Sequence, residues 1–135
     1  MTDLPATEPN ETIVTKTAAG SVNEIVTKLR ELLEGRGLKL FAVIDHSLEA
    51  RETGLELRDT KVVIFGSPQA GTPVMQSVPL VALDLPLKLL IWDDGGQTRV
   101  SYLAPEALAA RYHLSGELAQ RLAGIGPISD ALVAT

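Results

Sequence analysis

The side chains of this sequence that could do chemistry fall in three places. Asp45-His46 closes the apolar run that ends at Ile44 and stands directly before Ser47. Histidine is the one side chain whose ordinary pKa lies near neutrality, so His46 could exchange protons or bind a metal, with Asp45 or Asp84 as its orienting partner. A metal site needs about three protein ligands, and the chain has two histidines and no cysteine. Asp45 would serve equally as a cap and His46 as a hydrogen-bonded residue at a strand end.

The second place is Gly66-Ser67-Pro68-Gln69-Ala70-Gly71-Thr72. It joins a strand-like run to a helix start, the geometry in which backbone N–H groups cradle an anion. Its spacing approaches that of a phosphate-binding loop, but Thr72 stands where the lysine should be and Pro73 removes a donor, so nucleotide hydrolysis of that type does not fit. A weaker anion or carboxylate site and an ordinary tight connection both remain open. The third place is Asp84, set between Leu83 and Leu85 just before Pro86. Apolar surroundings raise the pKa of an unpaired carboxylate or demand a partner, and a helix end or Lys88 would supply one. A triad of Ser67, His46 and Asp84 can be drawn on paper, but no G-x-S-x-G elbow supports it. No catalytic residue is assigned, and no metal or cofactor is expected.

These residues depend on the elements that carry them. Thr12 to Thr17 alternates β-branched and polar residues as a half-buried strand does. Ser21 and Glu24 form a capping box ahead of Val22, Ile25, Val26, Leu29, Leu32 and Leu33, whose spacing predicts one helix over 22–34, stopped by Gly35 and Gly37. Leu38 to Ile44 reads as a strand buried on both faces. Ser47 can cap a one-turn helix through Arg51, and Leu55 to Leu57 can form a short edge strand. Lys61 to Phe65 is a further strand. Among the prolines of 67–86, Thr72 with Pro73 marks one helix start, and 79–83 a second short helical piece.

Leu87 to Trp92 and Thr98 to Leu103 flank Asp93-Asp94-Gly95-Gly96 as a hairpin, on which Trp92 and Tyr102 could pair. Pro105 opens a helix to Tyr112, where Arg111 and His113 suit the C-terminal carbonyls. Ser115 caps another to Ala123, ended by Gly124, Gly126 and Pro127, and 128–133 is a last apolar turn. The order predicts an α+β fold with helices on one face of a mainly antiparallel sheet.

Composition bounds the function. The chain of 135 residues is 45% apolar, enough for one core without staples, and has no cysteine for disulfides or thiolate chemistry. Residues 1–11 read as a frayed lead-in and 12–135 as a single domain. No apolar run is long enough to span a bilayer and no leader is evident, so a cytoplasmic protein without membrane contact is expected. The net charge of −5 is spread along the chain, without a basic stripe or enough aromatics for stacking, so nucleic acid is not an expected partner.

Four strings in order, Phe41-Ala42-Val43-Ile44-Asp45-His46 with Ala50, Val63-Ile64-Phe65-Gly66-Ser67-Pro68, Gly71-Thr72 with Met75, and Ala82-Leu83-Asp84-Leu85-Pro86-Leu87-Lys88, together resemble the family called domain of unknown function 302. The resemblance runs from Thr12 to the C-terminus. It implies a β-α-β4-α type of fold, usually seen as a homodimer, with no established activity and no catalytic residues to carry over. The leading expectation is a homodimeric module that holds a small anionic or amphiphilic ligand near Asp45, His46, Gly66, Ser67, Pro68, Gly71, Thr72 and Asp84. The alternatives are an enzyme with His46 as general acid or base, and a purely structural or interaction protein.

Overall fold

The computed structural model describes residues 12–134. Five strands form one antiparallel sheet in the order β1 (Ile13–Ala18), β5 (Gln97–Leu103), β4 (Leu87–Asp94), β3 (Thr60–Gly66) and β2 (Lys39–Asp45). The helices are α1 (Val22–Gly35), α2 (His46–Glu52), α3 (Pro68–Ser77), α4 (Pro105–Arg111), α5 (Gly116–Arg121) and α6 (Ile125–Val133), with a 3₁₀ turn at Pro79–Asp84. This is the α+β fold that the element order predicts. The expected lead-in at residues 1–11 lies outside the described residues.

α1 forms where the capping box sets it. The Ser21 hydroxyl accepts from the Glu24 N–H, and the Glu24 carboxylate accepts from the Ser21 N–H. Its stripe of Val22, Ile25, Val26, Leu29 and Leu33 buries against Val63, Phe65, Leu89, Ile91, Val100 and Tyr102, and α6 completes that layer through Ile125, Ile128 and Leu132. The hairpin β4–β5 turns on Gly95 and Gly96, both at positive φ, which an L side chain adopts only with strain.

A second, smaller apolar cluster stands apart from this core. Val74 of α3, Val81 of the 3₁₀ turn, Leu108 of α4 and Leu122 just beyond α5 form its centre. Two separate connections, β3 to β4 and β5 to α6, thus converge into a cap beside the main core. Helices are therefore not confined to one layer: α1 and α6 cover the sheet, whereas α3, α4 and α5 pack chiefly on one another.

Several local expectations are corrected. β2 is not buried on both faces. It is an edge strand whose outward residues Ala42 and Ile44 stay exposed, because no element covers them. Asp45, rather than Ser47, caps α2 by accepting from the Leu48 N–H, while Ser47 is buried and its hydroxyl both donates to Asp45 and accepts from the Thr60 N–H. Leu55 to Leu57 forms no strand. α3 begins at Pro68 under a Ser67 cap, so Pro73 lies inside the helix. Gly124, Gly126 and Pro127 mark the cap and first turn of α6. Trp92 and Tyr102 do not pair: the register sets Trp92 against Arg99 on the uncovered face, and Tyr102 turns to the helices, where its hydroxyl accepts from Ser129.

Candidate functional site

At the end of β3, buried Gly66 leads into Ser67, whose hydroxyl accepts from the Ala70 N–H 3.3 Å away and starts α3. This turn forms one wall of a cleft of about 350 Å³. The cleft lies on the seam between the two apolar clusters. Leu38, Phe65, Leu87 and Ile128 reach it from the main core, and Met75, Leu85 and Leu122 from the cap. Gly71 opens onto the same seam, since a Cβ built there would meet Leu85 and Met75 at ordinary contact distances of 3.8 and 3.9 Å. Among the described residues the cleft has one charged lining residue, Arg121, and no Asp or Glu. Lys39 pairs with Gly66 across the strands, and its ammonium stands 5.0 Å from the ring centre of Phe41, another lining residue.

The residues singled out from sequence divide accordingly. Gly66, Ser67, Pro68 and Gly71 line the cleft; Thr72 is exposed and does not. Asp45 and His46 sit elsewhere. Asp45 pairs with Lys61 at the start of β3, whereas Gly66 ends that strand, and five residues of extended chain separate the two by about 17 Å. The expected single site spanning both is therefore two separate places. The Asp45 carboxylate accepts from Ser47 and from the Leu48 N–H and lies 3.6 Å from Lys61. The Ser47 hydrogen bond leads these influences in holding it below the ordinary carboxylate pKa, against some burial. The His46 side chain is exposed and makes no hydrogen bond or ion pair with the described residues. It lacks the orienting carboxylate that general acid–base chemistry needs.

Asp84 borders a smaller recess with Leu87, Lys88, Leu103 and Ile125. Its partners are not Lys88 but Tyr112, whose hydroxyl donates a short hydrogen bond, and Arg111 at 3.0 Å. The Tyr112 hydrogen bond leads in lowering the Asp84 pKa, and Arg111 adds to it. Arg111 thus spends its charge on Asp84 rather than on its own helix end, and the pair ties the 3₁₀ turn to α4.

A carboxylate lowered in the folded state adds stability above its ordinary pKa and loses it as pH falls through the lowered value. The melting temperature should therefore drop as pH falls below about 4, and Asp84→Asn should shrink that drop. Equal drops in thermal melts of both proteins would contradict the latch.

One further cluster has the look of a nucleophile and base. Lys16 donates to Ser129 at 2.6 Å, and Ser129 also reaches Tyr102. Burial pulls the Lys16 pKa down, but hydrogen bonds to Asp130 and Tyr102 outweigh it, so the amine stays protonated and cannot act as the base. Ser129 is fully buried, which closes it to substrate. No group of three or more His, Cys, Asp or Glu among the described residues could hold a metal ion. No helix among them is long and apolar enough to cross a membrane.

Residues 14–127 match the family described as "Domain of unknown function DUF302". The chain belongs to that family. A crystal structure of an uncharacterized conserved DUF302 protein from Bacillus stearothermophilus superimposes with a TM-score of 0.79 at 22% identity, over 92% of this chain and 97% of that one, which establishes the shared DUF302 fold. Among curated proteins, "Fluoride-specific ion channel FluC 1" of Brucella suis biovar 1 (strain 1330) is 37% identical over 103 residues, 76% of this chain and 41% of that protein. "Fluoride-specific ion channel FluC 2" of Brucella melitensis biotype 1 is 37% identical over 103 residues, 38% of its length. The DUF302 chain thus spans about two fifths of the curated relatives it matches.

Most of the apolar lining was not singled out from sequence, and Arg121, Leu122 and Ile128 were the hardest of it to foresee. They lie some 50 residues beyond the Gly66 turn, and only the cap's folding brings them to it.

Proposed function

We propose that this DUF302 domain is a homodimeric, cytoplasmic binding module for a small amphiphilic anion, held in the cleft beside Gly66 and Gly71. The observation that carries the reading is a recess with apolar walls and a single cationic lining residue. Burial of a ligand's apolar body gives affinity, and one charge at the rim selects its sign. A titration with anilinonaphthalene sulfonate, an apolar anion that fluoresces when desolvated, tests it. Saturable binding of about one probe per chain is expected, and no saturable enhancement with the folded protein would remove the proposal.

The uncovered sheet face supports the dimer. Ala42, Ile44, Val62, Ile64, Leu90 and Trp92 make a contiguous apolar patch of the kind that marks association surfaces. The outer row of β4 reads Lys88, Leu90, Trp92, Asp94. Two copies packed face to face with this strand antiparallel would set Lys88 of one protomer opposite the partner's Asp94. Ile64→Lys should weaken the dimer at least about a hundredfold, because the two-fold axis buries the new charge twice. Native mass spectrometry reads the outcome, and an undiminished dimer would place the interface elsewhere.

The fluoride in the names of the Brucella relatives is not proposed as the ligand, since an apolar cleft offers a small, strongly hydrated ion no replacement for its water.

A further inference from the structure

We infer that the cleft takes a free medium-chain monocarboxylate, with its head at Arg121 and its unbranched chain in the seam between the two apolar clusters. The inference rests on the binding-module reading and narrows it to one ligand class.

Three features decide the class. The first is size. At about 30 Å³ for each water-sized group, roughly 350 Å³ holds about a dozen non-hydrogen atoms, which suits a single chain of eight to ten carbons better than two chains. The second is the wall. Leu87, Leu122, Ile128 and flexible Met75, beside Phe41 and Phe65, make a mainly aliphatic wall that conforms to a chain with many shapes. Ser67 is the one uncharged polar side chain among the described lining residues, and it already accepts from the Ala70 N–H, so the walls suit a ligand that is chiefly apolar away from Arg121.

The third feature is charge. Arg121 makes no salt bridge among the described residues, Lys39 adds a second cation beside Phe41, and no acidic side chain lines the recess. A guanidinium binds a carboxylate in a planar, two-point fashion that an alcohol does not reproduce and an amine opposes.

The test is competition against bound anilinonaphthalene sulfonate by hexanoate, octanoate, decanoate and palmitate, each below its micelle concentration, with octanol and octylamine as head-group controls. Affinity should rise by about fourfold per added methylene up to about ten carbons and then stop rising. Octanoate should beat octanol by about tenfold, octylamine should not compete, and Arg121→Gln should erase the octanoate advantage while Arg121→Lys keeps part of it. Because Arg121 is exposed, both variants should melt as the parent does.

If the probe binds saturably but the carboxylates compete no better than octanol, the ligand class is wrong and the module stands. If the probe itself fails to bind, the module falls and the inference falls with it. Co-sedimentation of the protein with anionic phospholipid vesicles that decanoate reverses would overturn the free acid in favour of a membrane lipid.

Discussion

Leucine at position 71 is expected to abolish uptake of a small amphiphile while leaving the fold at least as stable. Gly71 lies within α3 at an ordinary helical φ, so the backbone accepts a side chain there without strain. Its virtual Cβ already touches Leu85 and Met75 at ordinary contact distance, so the first carbon fits and the remaining three of leucine extend into the recess. A cleft of about 350 Å³ cannot lose an isobutyl group's volume and still hold a chain of about ten carbons. Probe affinity should fall by at least about a hundredfold, the equivalent of roughly 3 kcal/mol. The milder Gly71→Ala should raise stability by about 0.4–1 kcal/mol, since alanine has less unfolded-state freedom to lose, while weakening binding only modestly. Fluorescence titration beside a thermal melt separates the two effects. Unchanged probe binding by Gly71→Leu would move the binding site elsewhere.

The second large effect lies in the core that supports the cleft. Leu29→Ala should cost about 3–5 kcal/mol, because Leu29 is fully buried under the sheet and the cavity left behind is hemmed in by β strands that cannot collapse into it. Against a typical total of about 5–15 kcal/mol, that lowers the melting temperature by roughly 10–20 °C. Leu83 is the internal control. It is 78% exposed, so Leu83→Ala should stay within about 0.5 kcal/mol of the parent. Urea denaturation measures both, and a Leu29→Ala loss below about 1 kcal/mol would mean that α1 does not anchor this layer.

What could be read from the sequence was what is local. The capping box of α1 and the Gly95-Gly96 turn have causes within a few residues, and both stand where the sequence sets them. Gly66 to Gly71 was visible for the same reason, as a strand that hands over to a helix start through glycines.

The errors arose where distant segments decide the outcome. The apolar run of β2 looks the same whether its outer face is covered by helices or left open. Asp45 and Gly66 seemed to belong together because each ends a strand. The antiparallel register of β2 on β3 sends those two residues to opposite ends of the strand pair. Thr72 with Pro73 offered the familiar start signal, and Ser67 was not read as a cap. The helix nonetheless starts five residues earlier and keeps its proline inside, with buried Val74 fastened in the cap. Asp84 was given the nearest cation in sequence, whereas α4 brings Arg111 and Tyr112 from nearly thirty residues away.

The most direct test of the account is to map the binding site by heteronuclear NMR, titrating decanoate into the isotope-labelled chain below its micelle concentration. The account predicts saturable shifts concentrated at Gly66, Gly71, Arg121, Leu122 and Ile128, with Asp45 and His46 unmoved. Shifts centred on Asp45 and His46, or no saturable shift at all, would contradict it.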